Sequence, residues 1–251
     1  TVEDILDKID LTRNHLLGGT VTSLNPSYAL QLAKEGVELN PLFSDCSGKH
    51  AGMLAVCQYK GYPVDQYTSP DHPLQKELMQ LIADICRYDV DRITIGIDGC
   101  SVPVHALPLE HMARGYARLA TPGKLRVEQQ KPADTIFDAM NRHPEMVAGT
   151  GGFCTELIRH THGKLIGKIG AEGVYCIGVK NKSLGIAVKI EDGSMKRLPP
   201  VVVEVLNQMG LLTHREATSL DPFRYMDNLN DLHRKVGGIR PAFKLKKATK
   251  G

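Results

Sequence analysis

Apolar positions in the first ninety residues recur at helical spacing. Val2, Ile5, Leu6 and Ile9 share one face behind Thr1 and Asp4, which predicts an opening helix. Asn25-Pro26 supplies a cap and a first-turn proline for a helix through Leu30 and Leu32 that stops at Gly36. A third helix is expected from about Lys49 to Tyr59, with Met53, Leu54, Val56 and Cys57 inward and Gly61 at its end. A fourth starts near Asp71 and Pro73 and gathers Leu74, Leu78, Leu81, Ile82 and Ile85 on one face. The period then drops to two: Ile93, Ile95 and Ile97 alternate with Thr94 and Gly96, a strand running into Asp98-Gly99. Helices are expected around Leu109–Leu119 and Asp134–Asn141, separated by Thr121-Pro122-Gly123.

From about Lys164 the pattern turns β-rich. Leu165–Ile169, Val174–Val179 and Leu184–Ile190 are joined by Gly170-Ala171-Glu172-Gly173 and Asn181-Lys182-Ser183, connections short enough for antiparallel neighbours and too short for crossovers. Asp192-Gly193 makes a further turn, Pro199-Pro200 opens a helix through Val203, Leu206 and Met209 that ends at Gly210, and a last strand is expected around Val236–Phe243. The fold class is α+β: an antiparallel sheet flanked by helices, plus a helical lobe. No dinucleotide-binding pattern or phosphate loop is present.

Composition narrows the function classes. At 251 residues the chain can bury a core, and a single domain over residues 1–251 is expected. A formal net charge of +3 is too small to imply nucleic acid, and the basic run Lys244-Leu245-Lys246-Lys247 reads as a solvated tail. No apolar stretch approaches the ~20 residues of a membrane span. The cysteines at 46, 57, 86, 100, 154 and 176 form no compact framework, which favours free thiols or metal ligands in a reducing compartment; a cytoplasmic protein is expected.

Chemistry concentrates where elements end. Cys46-Ser47-Gly48-Lys49-His50 gathers a thiol, a hydroxyl, an amine and an imidazole at a helix start. The helix-end field favours a thiolate at Cys46 and disfavours an ammonium at Lys49. Both could then donate to a soft metal such as zinc, with Cys100 as a third ligand. A buried Cys46 and a solvated Lys49 account for the same spacing. Cys46 could instead be a nucleophile with His50 as base and Asp98 as orienter. Asp98-Gly99 also reads as an ordinary turn. Lys168, in a Lys-x-Gly sequence beside a predicted strand, resembles the lysine that lines the site of serine acyl-transferases.

Four stretches together resemble the bacterial L-asparaginase II family, the rhizobial type related in fold to serine β-lactamases and glutaminases. They are Cys46-Ser47-Gly48-Lys49-His50-Ala51-Gly52, Gly96-Ile97-Asp98-Gly99-Cys100-Ser101, His143-Pro144-Glu145-Met146-Val147-Ala148-Gly149-Thr150-Gly151 and Gly167-Lys168-Ile169-Gly170-Ala171-Glu172-Gly173. The resemblance implies a serine β-lactamase-like fold and a homodimer that hydrolyses L-asparagine. It implies zinc held by Cys46, Lys49 and Cys100, His50 and Asp98 on the substrate side, and Lys168 in a serine–lysine couple. Cys154 falls near the site in some relatives, although a buried structural thiol explains it equally well.

One departure stands out. The family's nucleophilic Ser-x-x-Lys does not occur: Ser44, Ser47, Ser101 and Ser194 are followed three positions on by Ser47, His50, Val104 and Arg197. The expectation is a chain lacking an upstream segment, inactive alone and prone to self-association. The alternatives are a non-catalytic zinc- or amino-acid-binding relative and a Cys46-dependent thiol hydrolase.

Overall fold

The computed structural model describes residues 1–248. The chain divides into two compact units, Thr1–Asp84 with Tyr88–Leu107, and Ile85–Arg87 with the residues from Pro108 onward.

The first unit contains α1 (Val2–Asp7), α2 (Pro26–Lys34), α3 (Ser47–Lys60), most of α4 (Pro73–Cys86) and a two-stranded ribbon, β1 (Thr94–Ile97) antiparallel to β2 (Pro103–Ala106). Local chemistry sets the helix ends. The Asn25 side chain accepts from the N–H groups of Ser27 and Tyr28, and Gly61 closes α3 in the left-handed conformation that glycine adopts without a Cβ penalty. The core is Leu6, Leu11, Leu16, Ala51, Leu54, Cys57, Tyr67, Leu74, Cys100 and Val102, so α1 packs on α3 and the β1–β2 turn seals the same cluster.

Several inward assignments change. Val56 is exposed: at 100° per residue the buried arc of α3 is centred on His50, Leu54 and Cys57, and Val56 falls well outside it. The buried arc of α4 is rotated toward Gln75 and Ala83, which leaves Leu81 exposed. The Ile95–Ile97 alternation makes a strand, but in a two-stranded ribbon both side chains remain exposed.

The second unit is built on the antiparallel order β3 (Leu165–Gly170), β4 (Val174–Val179), β5 (Leu184–Lys189). One face carries Leu165, Tyr175, Ile177 and Val179 into a core with Phe153, Leu157, Leu198, Val202 and Leu206. On the other face Gly178 pairs with Gly185, and α5 (Leu109–Leu119) lies directly on them. A Cβ at Gly185 would stand 1.8 Å from the Ala113 carbonyl oxygen, so glycine is what lets helix and sheet touch. The helices α6 (Val127–Arg142), α7 (Glu145–Ala148), α8 (Phe153–His160), α9 (Leu198–Gln208), α10 (His214–Ser219) and α11 (Asp221–Arg224) and the ribbon β6 (Met226–Leu229) with β7 (Lys235–Ile239) complete it. Helix α6 begins seven residues before the expected Asp134 and carries Pro132 inside it. The final strand is there, shorter than expected and paired to β6, which the pattern did not reveal. The architecture is α+β.

Candidate functional site

The start of α3 and the β1–β2 turn bring four of the sequence-chosen side chains together. Cys46 is the N-cap of α3, its N–H donating to Ser44 Oγ at 3.3 Å and its carbonyl accepting from His50 N–H at 3.0 Å. Lys49 follows within the first turn. Opposite, Asp98 N–H donates to the Val102 carbonyl and Ser101 N–H to the Asp98 carbonyl, each at 2.9 Å, with Ser101 at φ +69°. Gly99 N–H donates to Asp98 Oδ1 at 2.9 Å, leaving Oδ2 free to face the cluster. Lys49 Nζ lies 3.4 Å from Asp98 Oδ2, and the Cys100 thiol donates to the same oxygen at 3.5 Å. The donor atoms of Cys46, Asp98 and Cys100 all lie within 4.8 Å of one another.

The electrostatics depart from the helix-end argument. Burial, then the Cys100 side chain, pushes the Cys46 thiol up to about 11 against the pull of Lys49. Burial works against a charged Lys49, but the two cysteine side chains and Asp98 outweigh it and hold its ammonium above the ordinary range. Burial likewise opposes ionisation of Asp98, and the Gly99 N–H, Lys49 and the Cys100 thiol overcome it, so the carboxylate is held below its usual range. In the resting cluster Cys46 is therefore a thiol, beside a carboxylate at Asp98 and an ammonium at Lys49. Its donors nonetheless fit a soft divalent ion. Two sulfurs at ~2.3 Å from zinc in a tetrahedron stand about 3.8 Å apart, so a cluster whose donors all lie within 4.8 Å needs to contract by at most about 1 Å, with a carboxylate or amine to complete it.

His50 sits one residue beyond Lys49 and points the other way, into the core. The ring is wholly buried, its Nδ1 2.6 Å from the Tyr67 hydroxyl and its rings edge-to-face with that tyrosine at 5.5 Å. Nε2 is buried without a hydrogen-bond partner among the described residues. Burial, with the charge of Lys49, brings its pKa down to about 4, against weaker opposing pulls from the Cys100 backbone and Asp98.

Lys168 belongs to the second unit. It stands in β3 opposite Cys176, is exposed, and donates to the Ile169 carbonyl at 2.7 Å. Cys154 is buried in α8, and its sulfur accepts from Ile169 N–H at 3.3 Å. Sequence reasoning missed Tyr67 and Gly18, the two residues that press on His50, and read Asp98 as a substrate-side group, an orienter or a turn residue but not as a metal donor, although its free oxygen joins the thiols.

Fold and cluster together define an α+β protein with a thiol, carboxylate and amine donor site. A family model for L-asparaginase II matches residues 1–241, across both units, and the chain belongs to the L-asparaginase II family. It is by family an asparaginase-like amidohydrolase with a small-molecule substrate. No individual curated protein matches it.

Proposed function

We propose that the chain serves hydrolysis of the side-chain amide of L-asparagine to L-aspartate and ammonia. In this reading Cys46, Lys49 and Cys100 hold zinc beside the substrate, and Asp98 and His50 lie on the substrate side. The carrying observation is the convergence of Cys46, Lys49, Asp98 and Cys100 from two separate segments of a chain in this family. The reading includes a serine β-lactamase-like frame, supported by the antiparallel β3–β4–β5 sheet with α5 on one face. It also includes a cytoplasmic homodimer. The cysteines are all free, which supports a reducing compartment, and no helix among the described residues is long and apolar enough to cross a membrane.

The chemistry follows from the groups. A serine activated by lysine attacks the amide carbon, ammonia leaves, and water hydrolyses the acyl-enzyme. Lys168 supplies the basic or electrostatic partner of one serine–lysine couple. Asp98, with Oδ1 pinned by Gly99, presents an oriented carboxylate suited to an α-ammonium group. Zinc, when bound, would tie the α3 start to the β1–β2 turn and stiffen that wall of the pocket. Loading it requires Cys46 to lose its proton, so affinity should rise with pH. No serine in residues 1–251 is followed three positions on by lysine, so these residues do not carry the nucleophilic couple and the isolated chain should not turn over asparagine. The raised Cys46 thiol, with His50 bonded to Tyr67, gives no support to a cysteine nucleophile.

The test is metal analysis and ammonia release on one preparation. About one zinc per chain without turnover is expected, with zinc lost in Cys46→Ser and Cys100→Ser and kept in Lys168→Ala. Ammonia release by the 251-residue chain overturns the inactivity, and a metal-free protein after growth in zinc overturns the metal assignment.

A further inference from the structure

Two of the free thiols face each other where the start of α3 meets the β1–β2 turn. The sulfurs of Cys46 and Cys100 lie within 4.8 Å of each other, so at most about 3 Å of travel separates them from the ~2.05 Å of a disulfide. Rotation about the two Cα–Cβ bonds moves sulfurs over distances of that order. Neither sulfur has a strong bond to give up. Cys46 is the N-cap of α3, yet its side chain makes no capping bond, and the Cys100 thiol makes a long contact of 3.5 Å with Asp98 Oδ2. The two differ in access: Cys46 is half-buried, whereas Cys100 is 6% exposed and belongs to the core. Gly48 and Gly99 flank the pair, are themselves exposed, and have open space where a Cβ would stand, so a small molecule can approach Cys46.

We propose that Cys46 and Cys100 are a redox-modification site, forming a reversible disulfide by exchange with a small-molecule disulfide, with Cys46 the entry thiol and Cys100 the resolving one. In the first step the Cys46 sulfur attacks one sulfur of the oxidant, the oxidant's S–S bond breaks, and its other half leaves as a thiol that takes up the Cys46 proton. In the second, the Cys100 sulfur attacks Cys46 Sγ, the mixed S–S bond breaks, and the second small thiol leaves with the Cys100 proton. Two electrons pass from the cysteine pair to the oxidant, and no further reactant is needed. Access sets the order, because a mixed disulfide fits at the half-buried position and not at the one in the core. The new bond ties the start of α3 to the β1–β2 turn and consumes both sulfurs of the candidate metal site, so disulfide and metal exclude each other. That last consequence rests on the metal reading; the bond itself rests on the placement of the two thiols.

The experiment equilibrates the full chain, reduced and stripped of metal by a chelator, with oxidised glutathione and maps its non-reduced peptides by mass spectrometry. Burial keeps Cys46 protonated and slows the exchange, so the readout is the end point and not the rate. The expected result is a linked Cys46–Cys100 peptide pair, an unchanged far-UV circular dichroism spectrum and full reversal by dithiothreitol. Thiols that stay free, pairing without a Cys46–Cys100 link, or a link that forms only as the spectrum is lost overturns the proposal, whether or not any variant folds. Cys100→Ser should stop with glutathione attached to Cys46, and Cys46→Ser should leave Cys100 unmodified; the reverse pattern overturns the assigned order. Zinc uptake, followed with a chromophoric chelator, separates the other half. Binding by the reduced chain and none by the oxidised chain supports exclusion, and equal binding by both overturns it. Binding by neither refutes the metal reading and leaves the disulfide standing.

Discussion

Replacing Gly18 by alanine presses on the buried imidazole of the candidate site. The new Cβ would stand 2.9 Å from His50 Nε2, 3.0 Å from Cδ2 and 3.3 Å from Cε1. Normal carbon contacts lie at ~3.5–4.0 Å, so ring or loop must retreat by roughly 0.5–1 Å. The ring cannot retreat freely, because Nδ1 is bonded to Tyr67 and His50 sits in the first turns of α3. Gly18 carries no left-handed φ, so the cost is steric and not conformational. Overpacking of this kind costs about 1–3 kcal/mol.

Urea melts followed by far-UV circular dichroism measure it. With a slope of ~2 kcal/mol per molar, the midpoint should fall by about 0.5–1.5 M. Gly52→Ala is the internal control. It lies within α3 with open space around it, and removing a mid-helix glycine should raise the midpoint by about 0.25–0.5 M. In a Tyr67→Phe background the ring is released, so Gly18→Ala should cost less there, a coupling expected of touching residues. A Gly18→Ala protein that melts at or above the wild-type midpoint refutes the packing on which the His50 geometry depends.

Two further outcomes follow from the second unit. Gly185→Ala drives a Cβ into the backbone of α5, 1.8 Å from the Ala113 oxygen, whereas Gly170→Ala meets only Val174 at 3.5 Å. The first should lose about 3 kcal/mol or fail to fold and the second about 1 kcal/mol or less, read from the same urea melts. Glu216 sits against Lys164 at 2.6 Å, and although burial opposes its charge, Lys164 and Thr213 hold its carboxyl below the ordinary value of 4.5. Its stabilisation is therefore complete above that value and lost as pH falls through the lower folded pKa, so wild type should lose more Tm than Glu216→Gln between pH 6 and 3.

What could be read along the chain was what one turn or one strand contains. Asn25-Pro26, Gly61 and the three runs from Leu165 to Lys189 carry their instructions locally, and the elements form where those residues put them. Helix α8 was legible and overlooked: Phe153, Cys154, Leu157 and Ile158 have helical spacing, but only eight residues display it behind the glycines that end at Gly152. Strands β2 and β6 have four residues each, too few for a period to declare itself. Cys46 and Lys49 are three apart and needed no more than the helix. Their approach to Asp98 and Cys100 spans about fifty residues; residue chemistry offered it as one reading among several, and the resemblance singled it out. Nothing local marks Tyr67, which lies in a turn between two helices and acquires its role from what surrounds it.

The Cys46 reading failed on magnitude. A helix-end field is worth about 0.3–1 kcal/mol, which moves a pKa by only about 0.2–0.7. Burial and a second thiol, both created by tertiary structure, lift the group from 9.0 to about 11 and overwhelm it. The thiolate that zinc ligation requires is therefore not prepared by the helix. In the proposed loaded form the cation's own charge ionises Cys46 and Cys100, as a bound zinc does to a coordinating thiol. Lys49 must then also surrender a proton that the metal-free cluster holds firmly, so Cys46 and Lys49 both release protons on zinc uptake and its pH dependence is correspondingly steep.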